Sequence, residues 1–138
     1  MTEEQFAALD SICDNPIRLL RGPAGTGKTL LGIESARRAA AADRSVLVVC
    51  FNHNLGTWLA EAVQPFGPGC VIAGNVHALL RERIMKSSLA GDLAHAEASG
   101  LEGRELFGRL YFELGALAIE ESGERFDDII FDEVQDVA

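Results

Sequence analysis

Two stretches of this chain combine residue types and spacings suited to a charged, oxygen-rich ligand. The first is Gly22-Pro23-Ala24-Gly25-Thr26-Gly27-Lys28-Thr29, a full match to G-x-x-x-x-G-K-[ST]. Glycines let a backbone curl its N–H groups inward around an anion. A helix opening at the same point turns its positive end toward that anion. Lys28 adds a mobile positive charge that can reach the outer phosphates of a nucleotide. The Thr29 hydroxyl is a hard oxygen suited to Mg2+. With average composition, an accidental match in a chain of this size has a chance of roughly 1% or less. Gly22, Gly25, Thr26, Gly27, Lys28 and Thr29 are therefore expected to hold a nucleotide, with ATP and Mg2+ as the cofactors.

The second stretch is Ile129-Ile130-Phe131-Asp132-Glu133, an apolar run ending in two carboxylates. Alone it is weak, because a strand running out into a solvated acidic loop reads the same way. Beside a phosphate loop on one parallel sheet it gains meaning. Asp132 would then hold Mg2+ through water, and Glu133 would orient and polarise the attacking water, so that hydrolysis is expected as well as binding. Asp127 and Asp128 read as loop and strand-edge charges.

The elements that must position these groups follow from the apolar patterning. Thr2 and Gln5 fit a capping box opening a helix, with Phe6, Leu9 and Ile12-Cys13 on one face. Asn15-Pro16 is expected to end it. Ile17 to Leu20 reads as a strand. The helix after the phosphate loop runs to about Ala42, with Leu30, Leu31, Ile33 and Ala36 available to the core. Val46 to Phe51 is a continuous apolar run suited to a parallel strand buried on both faces. A helix from about Leu55 to Gln64 and a strand from Cys70 to Ala73 come next. Residues 76–123 are helical in pattern, with Leu106, Leu110, Leu114 and Leu117 at helical spacing. The closing strand is Asp128 to Asp132. Strands alternating with helices imply an α/β fold on a parallel sheet.

The extension Val134-Gln135-Asp136 adds a family resemblance. Asp132-Glu133-Val134-Gln135-Asp136 resembles the D-E-x-Q-D motif II of superfamily 1 DNA helicases of the UvrD/Rep type, and Gly22 to Thr29 is similar to that family's motif I. Three weaker matches lie in the family's order. Thr2 to Leu9 looks like the Q motif, which would set Gln5 against adenine; a plain capping-box role stays open. Cys50-Phe51-Asn52-His53-Asn54-Leu55 looks like motif Ia, where Asn52 and His53 would touch single-stranded DNA, or an Asn would simply cap the next helix. Asn75-Val76-His77 looks like motif Ib, with Val76 in place of an aromatic stacking surface; His77 would meet DNA or serve as a structural histidine.

The resemblance implies a P-loop NTPase fold: a partial RecA-like ATP-binding lobe over residues 1–138, with a helical insert at about 78–123. It implies Lys28, Glu133 and Gln135 as catalytic residues and Thr29 and Asp132 as metal ligands. The family continues beyond motif II with a second lobe that supplies arginine fingers. The chain is thus expected to be an excised fragment or truncated product, hydrolysing ATP slowly without unwinding, while the full-length parent binds single-stranded DNA. An uncovered sheet edge would invite self-association of the fragment.

Two other function classes compete. One is a P-loop ATPase switch or nucleotide-binding module that does not translocate. The other is a small-molecule phosphotransferase, which shares only the phosphate loop and lacks a use for Gln5 and Gln135-Asp136.

Composition bounds these readings. Apolar residues make up 48% and charged residues 24% of 138, an ordinary globular balance. The net charge of −9 argues against a broadly basic nucleic-acid surface. No apolar stretch reaches the roughly 18 residues of a membrane span, and the acidic start Thr2-Glu3-Glu4 is not a signal peptide. Cys13, Cys50 and Cys70 form no C-x-x-C pair and read as inert thiols of a cytoplasmic protein. Arg37 and Arg38 read as a solvated helix face. Arg81, Arg83 and Lys86 form a small basic cluster open to solvent or to DNA phosphates.

Overall fold

A computed structural model describes residues 1–23, 27–62, 69–100 and 106–135. The chain divides into two units, one built from Cys13–Val76 with the segment from Phe126 onward, the other from Met1–Ile12 with His77–Arg125.

The first unit is an α/β layer. Its strands are β1 (Arg18–Pro23), β2 (Ser45–Cys50), β3 (Cys70–Asn75) and β4 (Asp128–Gln135). All pairings are parallel, in the order β1-β4-β2-β3. The β-branched run of β2 explains its central place. Val46, Val48, Val49 and Cys50 are no more than 1% exposed, as a strand covered on both faces requires. Ile129, Ile130 and Phe131 of β4 are equally buried. Two helices flank the sheet, α2 (Lys28–Ala41) and α3 (His53–Ala62).

Small residues let the helices sit close. Gly32, Ala36 and Ala40, spaced four apart, are the buried line of α2. That line displaces Leu30 and Leu31, expected in the core, which are 64% and 65% exposed. On α3, a Cβ added to Gly56 would lie 2.4 Å from the backbone nitrogen of Asn75 on β3. Only a residue without a side chain allows that approach.

The second unit is helical: α1 (Glu3–Asp10), α4 (Val76–Met85, from His77 onward), α5 (Ala90–Ala98), a π-helical turn at Leu106–Leu110 and α6 (Tyr111–Ser122). The capping box on α1 forms as expected. Its buried face differs from expectation, however. Gln5 and Leu9 are buried while Phe6 is 38% exposed. The helix also stops at Asp10, before Asn15-Pro16. The chain turns early because its next residues extend the other unit's sheet: Cys13 bridges Phe126, and Asp14 and Asn15 donate backbone N–H groups to the carbonyls of Phe126 and Asp127. On α6 the buried stripe is Tyr111, Phe112, Gly115, Ala116, Ala118 and Ile119. Leu117, from the leucine series, is 52% exposed. Gly115 faces Leu80 so closely that an added Cβ would meet its side chain at 2.6 Å.

Among the described residues no helix is long and apolar enough to cross a membrane.

These close approaches predict opposite effects for two glycine substitutions. Gly56→Ala drives a methyl group into the β3 backbone and is expected to destabilise the fold by about 1–3 kcal/mol. Gly91→Ala in α5 meets nothing within 4 Å and is expected to stabilise by about 0.5–1 kcal/mol, the usual helix preference for Ala. Urea unfolding of both variants checks the contrast.

Candidate functional site

A parallel sheet collects the carboxyl ends of its strands along one edge, where α/β folds place their ligands. Here that edge receives the end of β1 with the start of α2, the end of β2 with the start of α3, and the tip of β4. Gly27, Lys28, Thr29, Asn52, His53, Asp132 and Glu133 all belong to these segments.

Gly27 is the N-cap of α2 and takes φ +82°, the left-handed conformation that favours glycine. Lys28 is the first helical residue and Thr29 the second, so both stand where the helix carries its positive end. The Thr29 hydroxyl donates to Oδ2 of Asp132 at 2.7 Å. The two residues are 103 positions apart in sequence, and α2 and β4 are the elements that join them. Gly25, Thr26 and Asp136 lie outside the described residues. Gly22 and Gln135 are paired into the β1–β4 ladder, opposite Val134 and Pro23 respectively.

Asp132 is 3% exposed, next to Cys50 on β2 and Leu20 on β1 in register. A carboxylate this deep requires nearby donors, because an uncompensated one costs several kcal/mol. Thr29 is one of them. Burial pushes the Cys50 thiol up to about 11, against a backbone hydrogen bond at Asn52 and with a smaller push from the Asp132 charge.

Successive strand residues face opposite sides, and Glu133 accordingly has a different partner from Asp132. Its Oε2 accepts from Nε of Arg21 at 3.0 Å, the residue directly across the ladder on β1. Burial raises the Glu133 carboxyl, but the positive groups around it, Arg21 among them, hold it below the usual range. It is a carboxylate at neutral pH.

Of the remaining candidates, Asn52, Gln5 and His77 make contacts within the protein, while His53 does not share them. Asn52 Oδ1 accepts from the backbone N–H of Leu55 at 2.8 Å, the capping arrangement for α3. His53 is exposed on the first turn of that helix. Gln5 uses both ends of its amide: Oε1 accepts from Thr2 N at 2.9 Å, and Nε2 donates to the Gly108 carbonyl at 2.9 Å. His77 is half-buried, its ring edge-on to Phe112 at 5.8 Å and tilted against Tyr111 at 6.1 Å. The basic cluster of α4 is matched by acids. Arg81 pairs with Glu97, Arg83 with Glu82 and Glu124, and Lys86 with Glu82. Arg37 and Arg38 both pair with Glu34 on α2.

Arg21 lies outside every motif in the sequence. Its signal was the register itself: Arg21 directly follows Leu19-Leu20, Glu133 stands just beyond Ile129-Ile130-Phe131, and the two opposite charges become ladder partners once the strands pair in parallel. Of the three thiols, Cys13 and Cys50 are buried as expected and Cys70 is exposed, because it opens the edge strand β3.

No protein-family model, curated protein or solved structure matches the chain.

Two expectations follow. Thr29→Val keeps the side-chain shape but deprives buried Asp132 of a donor, and is expected to cost about 1–3 kcal/mol in chemical denaturation, with Thr29→Ser restoring most of it. Equal losses in Val and Ser variants would argue against the hydrogen bond. Separately, brief alkylation of the native chain at neutral pH is expected to label Cys70 alone, with Cys13 and Cys50 reacting only after denaturation.

Proposed function

We propose that this chain binds ATP with Mg2+ at the carboxyl edge of its sheet and hydrolyses it, in the manner of the N-terminal ATPase lobe of a superfamily 1 DNA helicase or translocase. The observation that carries this reading is the 2.7 Å contact between Thr29 and Asp132. It brings the hydroxyl that follows Gly27-Lys28 against the acid at the tip of a distant strand. Beyond compensating the buried acid, two hard oxygens at that point suit an ion shared with phosphates.

The donor set fits Mg2+. Thr29 Oγ1 and Asp132 Oδ2 are both oxygens, the ligand type this ion takes, and it commonly draws one or two contacts from protein with the rest from water and phosphate. When bound, Mg2+ neutralises charge on the phosphate oxygens. Lys28, on the first turn of α2, adds positive charge next to the helix's own N–H groups. Glu133, ionised at neutral pH, can orient a water and accept its proton once Arg21 yields part of its hold. In that role Arg21 keeps the carboxylate in place between turnovers.

A second reading retains ATP but drops DNA. Asn52 already caps α3, and Gln5 is already bonded at both ends of its amide. A nucleotide-binding switch would make no further demand on either. Single-stranded DNA binding that depends on nucleotide separates the two readings.

The direct test is a titration with Mg-ATP followed in the amide spectrum. Saturable shifts are expected at Gly27, Lys28 and Thr29. Lys28→Ala should weaken binding by about tenfold or more, the usual size of a lost charge-assisted contact, and Asp132→Asn should remove the difference between Mg2+ and a chelator. Undisturbed amides at Gly27 to Thr29, or wild-type affinity in Lys28→Ala, would sink the proposal.

A further inference from the structure

A cavity of about 230 Å³ lies in the α/β unit and takes no part in the site above. It opens at the amino edge of the sheet, under the carboxyl half of α2. Arg18 at the start of β1, Arg38 in the last turn of α2 and Arg44 just before β2 line it, with Asp128 at the start of β4. Val46 and Ile130 are among the apolar residues in its wall. Asp128 and Asp132 are four positions apart on one strand, so the two sites are separated by roughly 13 Å.

The charge here runs against the rest of the chain. Acidic residues outnumber basic ones 21 to 12 overall. At this cavity three guanidiniums meet one carboxylate, a local excess of two positive charges. Local structure accounts for two of them in part. Arg44 is fixed by Asp128 at 2.6 Å, and Arg38 complements the negative end of α2 while bonding Glu34 through Nε. Arg18 has neither explanation: among the described residues it forms no ion pair, and it stands exposed at the cavity. Guanidiniums are forked donors matched to phosphate and carboxylate oxygens. The volume is below the roughly 300–1,000 Å³ usual for drug-sized ligands, which selects a compact molecule.

We infer that this cavity binds a small organic anion whose phosphate or paired carboxylate groups are held by Arg18, Arg38 and Arg44, with its short carbon body on the Val46 and Ile130 side. This inference does not depend on ATP binding at the other edge.

The test uses two probes on the whole chain, glycerol 3-phosphate and succinate, which share the anionic character and differ in its source. Millimolar titration should give saturable amide shifts at Arg18, Arg38 and Arg44 with at least one probe, while Gly27 to Thr29 stay still; the tighter probe identifies the head group. The double variant R18Q/R38Q should bind about tenfold more weakly or worse, as expected for lost charge-assisted bonds. R37Q, one residue away on the same helix, should bind as wild type. Absence of saturation with both probes, shifts confined to Gly27 to Thr29, or unchanged affinity in R18Q/R38Q would each overturn it. Because the wild-type titration alone can do so, a poorly folding variant does not protect the proposal.

Discussion

Asp132 is a carboxylate that directly follows the apolar run Ile129-Ile130-Phe131 on β4, and almost no water reaches it. Burial of this kind is tolerated only where the surroundings return what the solvent gave, in donors and positive potential. The chain does this from α2: Thr29 donates to the acid, and the helix presents its first turn beside it. Helix position is in turn set by the Gly32-Ala36-Ala40 line against the sheet. Moving that helix outward by the thickness of a methyl group would separate hydroxyl from carboxylate. Packing and site chemistry are therefore one constraint, applied at different points along the same helix.

The α/β class and the parallel sheet were legible because the β-branched runs at Val46 and Ile129 have few other uses in a chain of this composition. Thr29 and Asp132 were legible as candidates through motif spacing. Their contact depends on strand order, which no local pattern encodes. Misreadings cluster on amphipathic helices. Leu30, Leu31, Leu117 and Phe6 are large and apolar, and pattern reading assigned them to the core. The structure buries Gly32, Ala40, Gly115 and Gln5 instead, because close helix contact selects for small volume, and because a polar group can be buried when both its ends are bonded. Arg21 went unnoticed since its importance lies in a cross-strand neighbour 112 positions away.

Charge is distributed in the same economical way. On α4 to α6, basic residues meet acids at short range, so the surface carries many ions with little local field; such exposed pairs contribute little stability each. In the α/β unit the pairing is less complete. Arg21 and Glu133 meet at one edge, and the arginines around Arg18 exceed their acid at the other. A parallel sheet has two chemically distinct ends, and this one carries an arginine at each, Arg21 at one and Arg18 at the other.

The strand order has one more consequence. β1 and β2 precede β4 in the chain, yet they touch β4 and not each other. Until residues 128–135 arrive, the sheet exists as a lone strand and a β2–β3 pair with a gap between them. A nascent chain emerging from the ribosome therefore holds its nucleation centre in abeyance over more than a hundred residues, the regime in which distant pairing makes folding slow. During that wait the apolar edges of β1 and β2 stand open, and chaperone demand should be concentrated in this interval of synthesis.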